Sequence, residues 1–246
     1  MIYFISDLHL SPRTPGAIRL FKAFLARIAH PDVARNNRLY LLGDCFETWV
    51  GDDDMEDPCH QEIIAALAQA SAAGLAIHLQ HGNRDFLLGQ DFARAAGLTL
   101  LPDPYVLSTP QWQFVLSHGD ALCTDDEAYQ QFRAQTRRPD WQAAFLAKPL
   151  RERLAIAAQL RQQSEVAKRG KSAYLMDLNP GETDDFLRQH GYATFIHGHT
   201  HQPATHDHIV DGIHVERWVL ADWSEDRGEA LSWDGAQLRR ESLLPS

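Results

Sequence analysis

Short apolar runs punctuate the chain at Ile2–Ser6, Arg38–Leu42, Leu75–Gln80, Gln113–Ser117 and Ala193–Ile196. Each is rich in Ile, Leu, Val, Tyr or Phe and is bounded by polar or glycine residues, the signature of a buried strand. Elsewhere the period lengthens. Ile18, Leu20, Phe21, Phe24, Leu25 and Ile28 follow a helical repeat, and so do Ile63, Ile64, Leu67 and Ala68 before Gly74 closes the segment. Such alternation predicts α/β layers. Three further strands are predicted near the C-terminus, at Ile213–Leu220, Glu229–Trp233 and Gln237–Glu241, with Asp234-Gly235 as the hairpin turn between the last two.

The pattern changes between about Asp125 and Gly170, where β-branched residues nearly vanish and Ala, Gln and Arg take over. Apolar positions at Trp141, Phe145, Leu146, Leu150, Leu154, Ile156 and Leu160 predict helices inserted into the sheet domain. The chain carries 23 Lys and Arg against 33 Asp and Glu, a net charge of −10. Seven basic and two acidic residues between Lys148 and Lys171 make that stretch +5, leaving −15 for the remainder. A gathered positive patch suits an anionic substrate or lipid surface, while the overall balance argues against nucleic acid.

With 246 residues, 44% of them hydrophobic and 23% charged, the chain can bury a sizeable core, and disorder, collagen and coiled coil are excluded. Three cysteines without a CxxC pair suggest neither a disulfide framework nor a thiolate zinc site. The opening MIYFISDLHL has no cationic region and is interrupted by Asp7 and His9, and no apolar run approaches the ~20 residues that span a bilayer. The expected location is therefore the cytoplasm, at most resting on a membrane.

The chemistry gathers after five of the predicted strands: Asp7-Leu8-His9, Gly43-Asp44, Gly82-Asn83-Arg84-Asp85, His118-Gly119-Asp120 and His197-Gly198-His199-Thr200-His201. Taken singly these are weak, since Gly-Asp after a strand is usually a turn. Ligands of open α/β sheets bind beyond the carboxyl ends of strands, so the five clusters should meet on one rim. Imidazole, carboxylate and one amide oxygen without thiolate suit a pair of hydrolytic cations such as Mn, Fe, Co, Ni or Zn.

The ordered set DLH, GDCFE, GNRD, SHGD and GHTH resembles the calcineurin-like metallophosphoesterases and spans Asp7 to His201. The resemblance implies a four-layer α/β/β/α sandwich, here a single domain over residues 1–246 with a helical cap at about 125–170. It also implies two divalent cations, with Asp7, His9 and His201 on the first, Asn83, His118 and His199 on the second, and Asp44 bridging. Water activated by both cations would attack phosphorus. Many members of that superfamily read GNHD where this chain has Arg84. Arginine cannot act as a general acid but can clamp a phosphate, which favours a phosphate leaving group and hence a diphosphate substrate.

GDCFETWVGDD, HGNRDFLLG, HGDALCTDDEAYQQFR and HGHTHQPA narrow the likeness to the diphosphatase family that cleaves UDP-2,3-diacylglucosamine in lipid A biosynthesis. That likeness implies manganese, attack at the α-phosphorus, release of UMP and 2,3-diacylglucosamine 1-phosphate, and a peripheral place on the cytoplasmic face of the inner membrane. It assigns catalysis to Asp44, Asn83 and Arg84. Substrate contacts fall to Asn83, Arg84, Asp126, Ser164, Lys168, Lys171 and His199, with Lys168 standing where the family carries Asn. Leu150, Leu154, Ile156 and Leu160 are candidates for an acyl-chain lining, against ordinary packing on the core.

Other residues carry weaker expectations. His197 should support its neighbours, Asp85 and Asp120 should orient His or Arg side chains, and His81 could steer Asn83. Asp52-Asp53-Asp54 reads as a solvated loop, His206, His208 and His214 as surface, and Phe46 and Trp49 as packing beneath the site. Two other functions remain open: another dimetal phosphoesterase acting on nucleotides or nucleic acid, and a scaffold of this fold without catalysis.

Overall fold

The computed structural model describes residues 1–168 and 177–244, with side chains in the helix ending at Lys168 described through Ser164. Its first sheet holds β1 (Ile2–Ile5), β2 (Arg38–Leu42), β3 (Ala76–Gln80) and β4 (Thr99–Leu100) in parallel, followed on the other side of β1 by antiparallel β10 (Glu229–Trp233) and then β11 (Leu238–Ser242). The second holds β5 (Tyr105–Ser108), β6 (Gln113–Ser117), β7 (Thr194–His197), β9 (Ile213–Val219) and β8 (Thr205–Val210) in that spatial order.

Strand periodicity separates the layers, because successive side chains point to opposite faces. In β2, Leu39 and Leu41 join the core beneath α1 (Pro15–Ile28), α2 (Pro58–Ala72) and α3 (Gln90–Ala96), while Tyr40 and Leu42 face the other sheet. Phe114 and Leu116 of β6 meet them there, and Val115 turns outward to Leu187 of α7 (Pro180–Gln189). The result is an α/β/β/α sandwich. Phe4 lies at its centre, fully buried, with ring centroids 5.6 Å from Tyr40 and 5.8 Å from Phe114. Truncating such a ring to Ala costs about 3–5 kcal/mol.

Arg38–Leu42, Gln113–Ser117 and Glu229–Trp233 have the bounds that periodicity predicts. β4, β5, β8, α3 and α7 carry no expectation from the periodicity. β8 reads THDHIV and alternates exposed with half-buried positions at a sheet edge, so its polar side chains gave no strand signal. Its turn to β9 is made by Asp211 and Gly212, both at positive φ (52° and 81°).

From β6 the chain enters α4 (Glu127–Thr136), α5 (Pro139–Leu146) and α6 (Leu150–Lys168) before reaching α7. Asp126 caps α4 by accepting from the Tyr129 N–H, and Asn179 caps α7 by accepting from the Glu182 N–H. Leu150 and Ile156 pack on the helical-side core, Leu160 is half-buried, and Leu154 is exposed. Among the described residues no helix is long and apolar enough to cross a membrane.

Candidate metal centre

All seven expected ligands follow the carboxyl ends of parallel strands. Asp7 and His9 follow β1, Asp44 follows β2, Asn83 follows β3, His118 follows β6, and His199 and His201 follow β7. Backbone bonds fasten these loops together: Asp7 N–H donates to Gly43 O, His9 N–H to Asp44 O, and Gly198 N–H to His118 O, all at 3.0–3.1 Å. Among the described residues seven non-glycine residues have positive φ, and five are Asp7, His9, Asp44, His199 and His201. Strain of this kind persists where surrounding structure enforces it, and here it coincides with the converging side chains. Close approach also demands glycine. A Cβ on Gly82 would lie 2.3 Å from the Asp44 nitrogen, and one on Gly43, at φ 89°, would lie 2.6 Å from the Gly82 Cα.

The side chains form one continuous set. His9 Nε2 and His201 Nε2 face each other at 3.2 Å, and Asp7 Oδ1 lies 3.3 Å from His201 Nε2 and 3.9 Å from His9 Nε2. Asp44 spans the middle, with Oδ2 4.0 Å from His9 Nε2 and Oδ1 3.8 Å from His118 Nε2. Asn83 Oδ1 completes the far end, 3.0 Å from His118 Nε2 and 2.9 Å from His199 Nδ1. Asp7, His9 and His201 form one group with metal-ligand spacing, and Asp7, Asp44 and His118 a second.

Electrostatics favours a cation here. Burial alone would raise the Asp7 carboxyl, but His201 at its oxygen and the charges of His118 and His9 hold it well below the ordinary range. Burial would lower His118, yet Asp44, Asp7 and Asp120 push it up to about 9. Carboxylates that hold a proton on a buried imidazole form a field in which a divalent ion is equally favoured. Asp7 Oδ1 is buried without a hydrogen bond, and two imidazole nitrogens at 3.2 Å share space suited to a common cation. These oxygen and imidazole donors therefore fit divalent metal.

An outer set of contacts orients the ligands. Asp85 does so through backbone: its carboxylate accepts from the N–H groups of Gly82, Asp44, Cys45 and Phe46. Asp120 accepts from Tyr129 Oη and Arg133 Nε, and Arg137 Nη2 lies 3.8 Å away, so it ties α4 to the rim. Burial would raise its carboxyl, but His118, Arg133, His199 and Arg137 keep it ionised. The Tyr129 ring stacks on His199 at 5.9 Å. His118 Nδ1 donates to Leu42 O at 2.8 Å, leaving Nε2 for the site. His197 donates through Nδ1 to Gly198 O and accepts from buried Arg217, whose charge, added to burial, keeps it neutral.

Several expectations are corrected by contacts distant in sequence. Asp52 accepts from the N–H groups of Gly89, Asp91 and Phe92, Asp53 pairs with buried Arg153, and Asp54 is buried beside His60. Asp52 and Asp54 are therefore structural, while Asp53 holds Arg153 with its own side chain still largely exposed to solvent. His81 Nε2 bonds Leu88 O rather than steering Asn83, and half-buried His208 lies between Asp184 and Arg217. Phe46 and Trp49 pack together as expected, at 4.8 Å. Arg84 donates its backbone N–H to Asp44 Oδ1 at 2.7 Å, and its buried Nε has no hydrogen-bond partner. Ser164 is half-buried on α6, while the Lys168 side chain and all of Lys171 lie outside the described residues.

Two carboxylates carry no expectation from sequence. Glu47 Oε2 lies 2.9 Å from His9 Nδ1, and its Oε1 lies 2.6 Å from Arg161 Nη1. Asp222 Oδ2 is 3.8 Å from His201 Nδ1. The usable signal was chemical, since ligating histidines commonly present their second nitrogen to a carboxylate.

A two-sheet α/β fold whose rim gathers candidate metal ligands defines a phosphoesterase class, and the chain belongs to the calcineurin-like phosphoesterase family, which matches residues 1–203. Members are metal-dependent hydrolases. The chain is 51% identical over 233 residues to the UDP-2,3-diacylglucosamine hydrolase of Aromatoleum aromaticum, covering 95% of this chain and 93% of that protein. It is 46% identical to the protein of that name from Aeromonas hydrophila, with 98% of each covered, and 47% identical to that from Chromohalobacter salexigens, with 91% and 89% covered.

Proposed function

We propose that this chain hydrolyses the diphosphate of UDP-2,3-diacylglucosamine in lipid A biosynthesis, releasing UMP and 2,3-diacylglucosamine 1-phosphate by attack of water on the α-phosphorus. The observation that carries this reading is the unbroken contact set from His201 through Asp7, Asp44 and His118 to His199, in a chain similar over nearly its whole length to hydrolases of that substrate. The donor set suits manganese, and bound divalent cations supply Lewis-acid polarisation of phosphoryl oxygens and a more acidic water.

The chain's own residues do the rest. Asp44 is fixed by the Arg84 N–H, so the orientation of the bridging carboxylate and the position of Arg84 are set together. The Arg84 guanidinium, with its Nε unpartnered, keeps a donor for a phosphoryl oxygen and stabilises charge developing there. It gives no proton to the leaving group, which as a phosphate needs little help. Asn83 and His199 meet on the far side, where Tyr129 stacks on the imidazole.

Residues at about 125–170 serve as a cap within one domain spanning residues 1–246. Ser164 sits one turn beyond Arg161, which reaches the rim through Glu47, and Asp126 opens α4 one turn before Tyr129. Together with Lys168 and Lys171 they meet sugar and phosphate, while Leu154 and its neighbours offer apolar surface to acyl chains. The excess positive charge of this stretch favours the anionic cytoplasmic face of the inner membrane.

Hydrolysis in heavy-oxygen water tests substrate and regiochemistry together. The label is expected on UMP, with the unacylated UDP-sugar turned over far more slowly than the diacylated one. Label on the sugar phosphate, or equal turnover of both, overturns the reading.

A further inference from the structure

Glu47 stands three residues beyond Asp44 in the loop after β2, with its side chain 14% exposed. Its carboxylate is divided between two parts of the molecule: Oε2 lies against His9 Nδ1 at 2.9 Å and Oε1 against Arg161 Nη1 at 2.6 Å. His9 follows β1, and Arg161 comes from α6, more than a hundred residues later. One acidic group thus touches both a cation ligand and the helical cover.

We propose that Glu47 is a positioning residue that couples the docking of α6 to the affinity of the Asp7, His9 and His201 group for its cation. A carboxylate 2.9 Å from Nδ1 electrostatically favours the ring proton on that nitrogen, which leaves the Nε2 lone pair facing Asp7 and His201 as the stronger donor. The other outward nitrogens are held differently. His118 Nδ1 meets the neutral Leu42 carbonyl, and His201 Nδ1 has Asp222 only at 3.8 Å, where that carboxylate is engaged by Arg227.

The coupling runs through Arg161. Without its guanidinium the Glu47 carboxylate is free to rotate away from a ring whose backbone is already strained, at φ 47°. Beside the pair lies a cleft of about 270 Å³ lined by Arg13, Thr48, Leu154 and Arg161, and the Arg161–Glu47 ion pair moors α6 at its edge. Thermodynamic linkage makes the effect reciprocal: if docked α6 strengthens cation binding, the cation strengthens docking by the same factor.

The test uses the full chain, stripped by chelator and titrated with Mn2+ by calorimetry, with amide exchange of α6 followed in parallel. Glu47→Gln is expected to weaken one of two binding events by about 10–100-fold and leave the other as in the unsubstituted chain. Arg161→Met should weaken the same event less, the double variant no more than Glu47→Gln alone, and the slowing of α6 exchange by Mn2+ should vanish in each. Wild-type affinity in Glu47→Gln, or an unchanged exchange response, overturns the coupling. Should Glu47→Gln fail to fold, Arg161→Met carries the same readouts. The inference rests on His9 as a cation ligand. An unsubstituted chain that binds no Mn2+ sinks that assignment, whereas normal binding in both variants sinks the coupling alone.

Discussion

At the rim the deepest ionisable groups are sealed in: Asp7, Asp85, His118 and His197 are completely buried, Asp44 is 2% exposed, and each is held by bonds to backbone or to a neighbouring ligand, with His9, His199 and His201 partly exposed above them. The helices above are built otherwise. α4 buries only Thr136 and α5 only Phe145, and the described part of α6 meets the body through partly buried Leu150, Ile156 and Ala157 and through Arg153 on Asp53 and Arg161 on Glu47. The rim is preorganised by the sheets and by strain that they enforce, while the cover is attached through a few ion pairs and a thin apolar seam of Trp141, Phe145, Leu150 and Ile156. Chemistry that needs fixed distances sits on the first, and recognition of a variable substrate can sit on the second.

Four changes sharpen that contrast. Asp44→Ala removes the carboxylate between His9 and His118 and should lower turnover by more than about a thousandfold, since losing a single stabilising donor already costs about 10²–10³. Steady-state kinetics on protein of verified fold checks it. Arg84→Met should cut kcat by about 10²–10³ while both cations still bind, separating the phosphate clamp from the metal centre. At the cover, Asp120→Asn loosens Tyr129, Arg133 and Arg137 together and should cost about 1–3 kcal/mol in denaturant unfolding. Least affected is His81→Ala. It loses one bond to Leu88 O, about 1 kcal/mol, with turnover unchanged.

The sequence was most legible where side-chain periodicity and burial agree. β2 and β6, buried on both faces, were placed to the residue, and the glycine-rich clusters after five strands do converge. β8 and α7 escaped because an edge strand and a solvent-facing helix such as PGETDDFLRQ carry too few apolar positions to show a period. Asp52-Asp53-Asp54 was misread for another reason. Its partners, the N–H groups around Gly89, Arg153 and His60, come from three other elements, and nothing local marks them. Glu47 was visible in the GDCFE run, but the role of its carboxylate is created by His9 and Arg161 meeting it in space. Motifs of the rim are local and can be read; the ties to the cover are tertiary and cannot.

Anomalous scattering from crystals soaked in Mn2+ tests the dimetal rim most directly. Two peaks about 3.5–4 Å apart are expected, one against Asp7, His9 and His201 and one against Asn83, His118 and His199, with Asp44 touching both. A single peak, or density away from these residues, would contradict it.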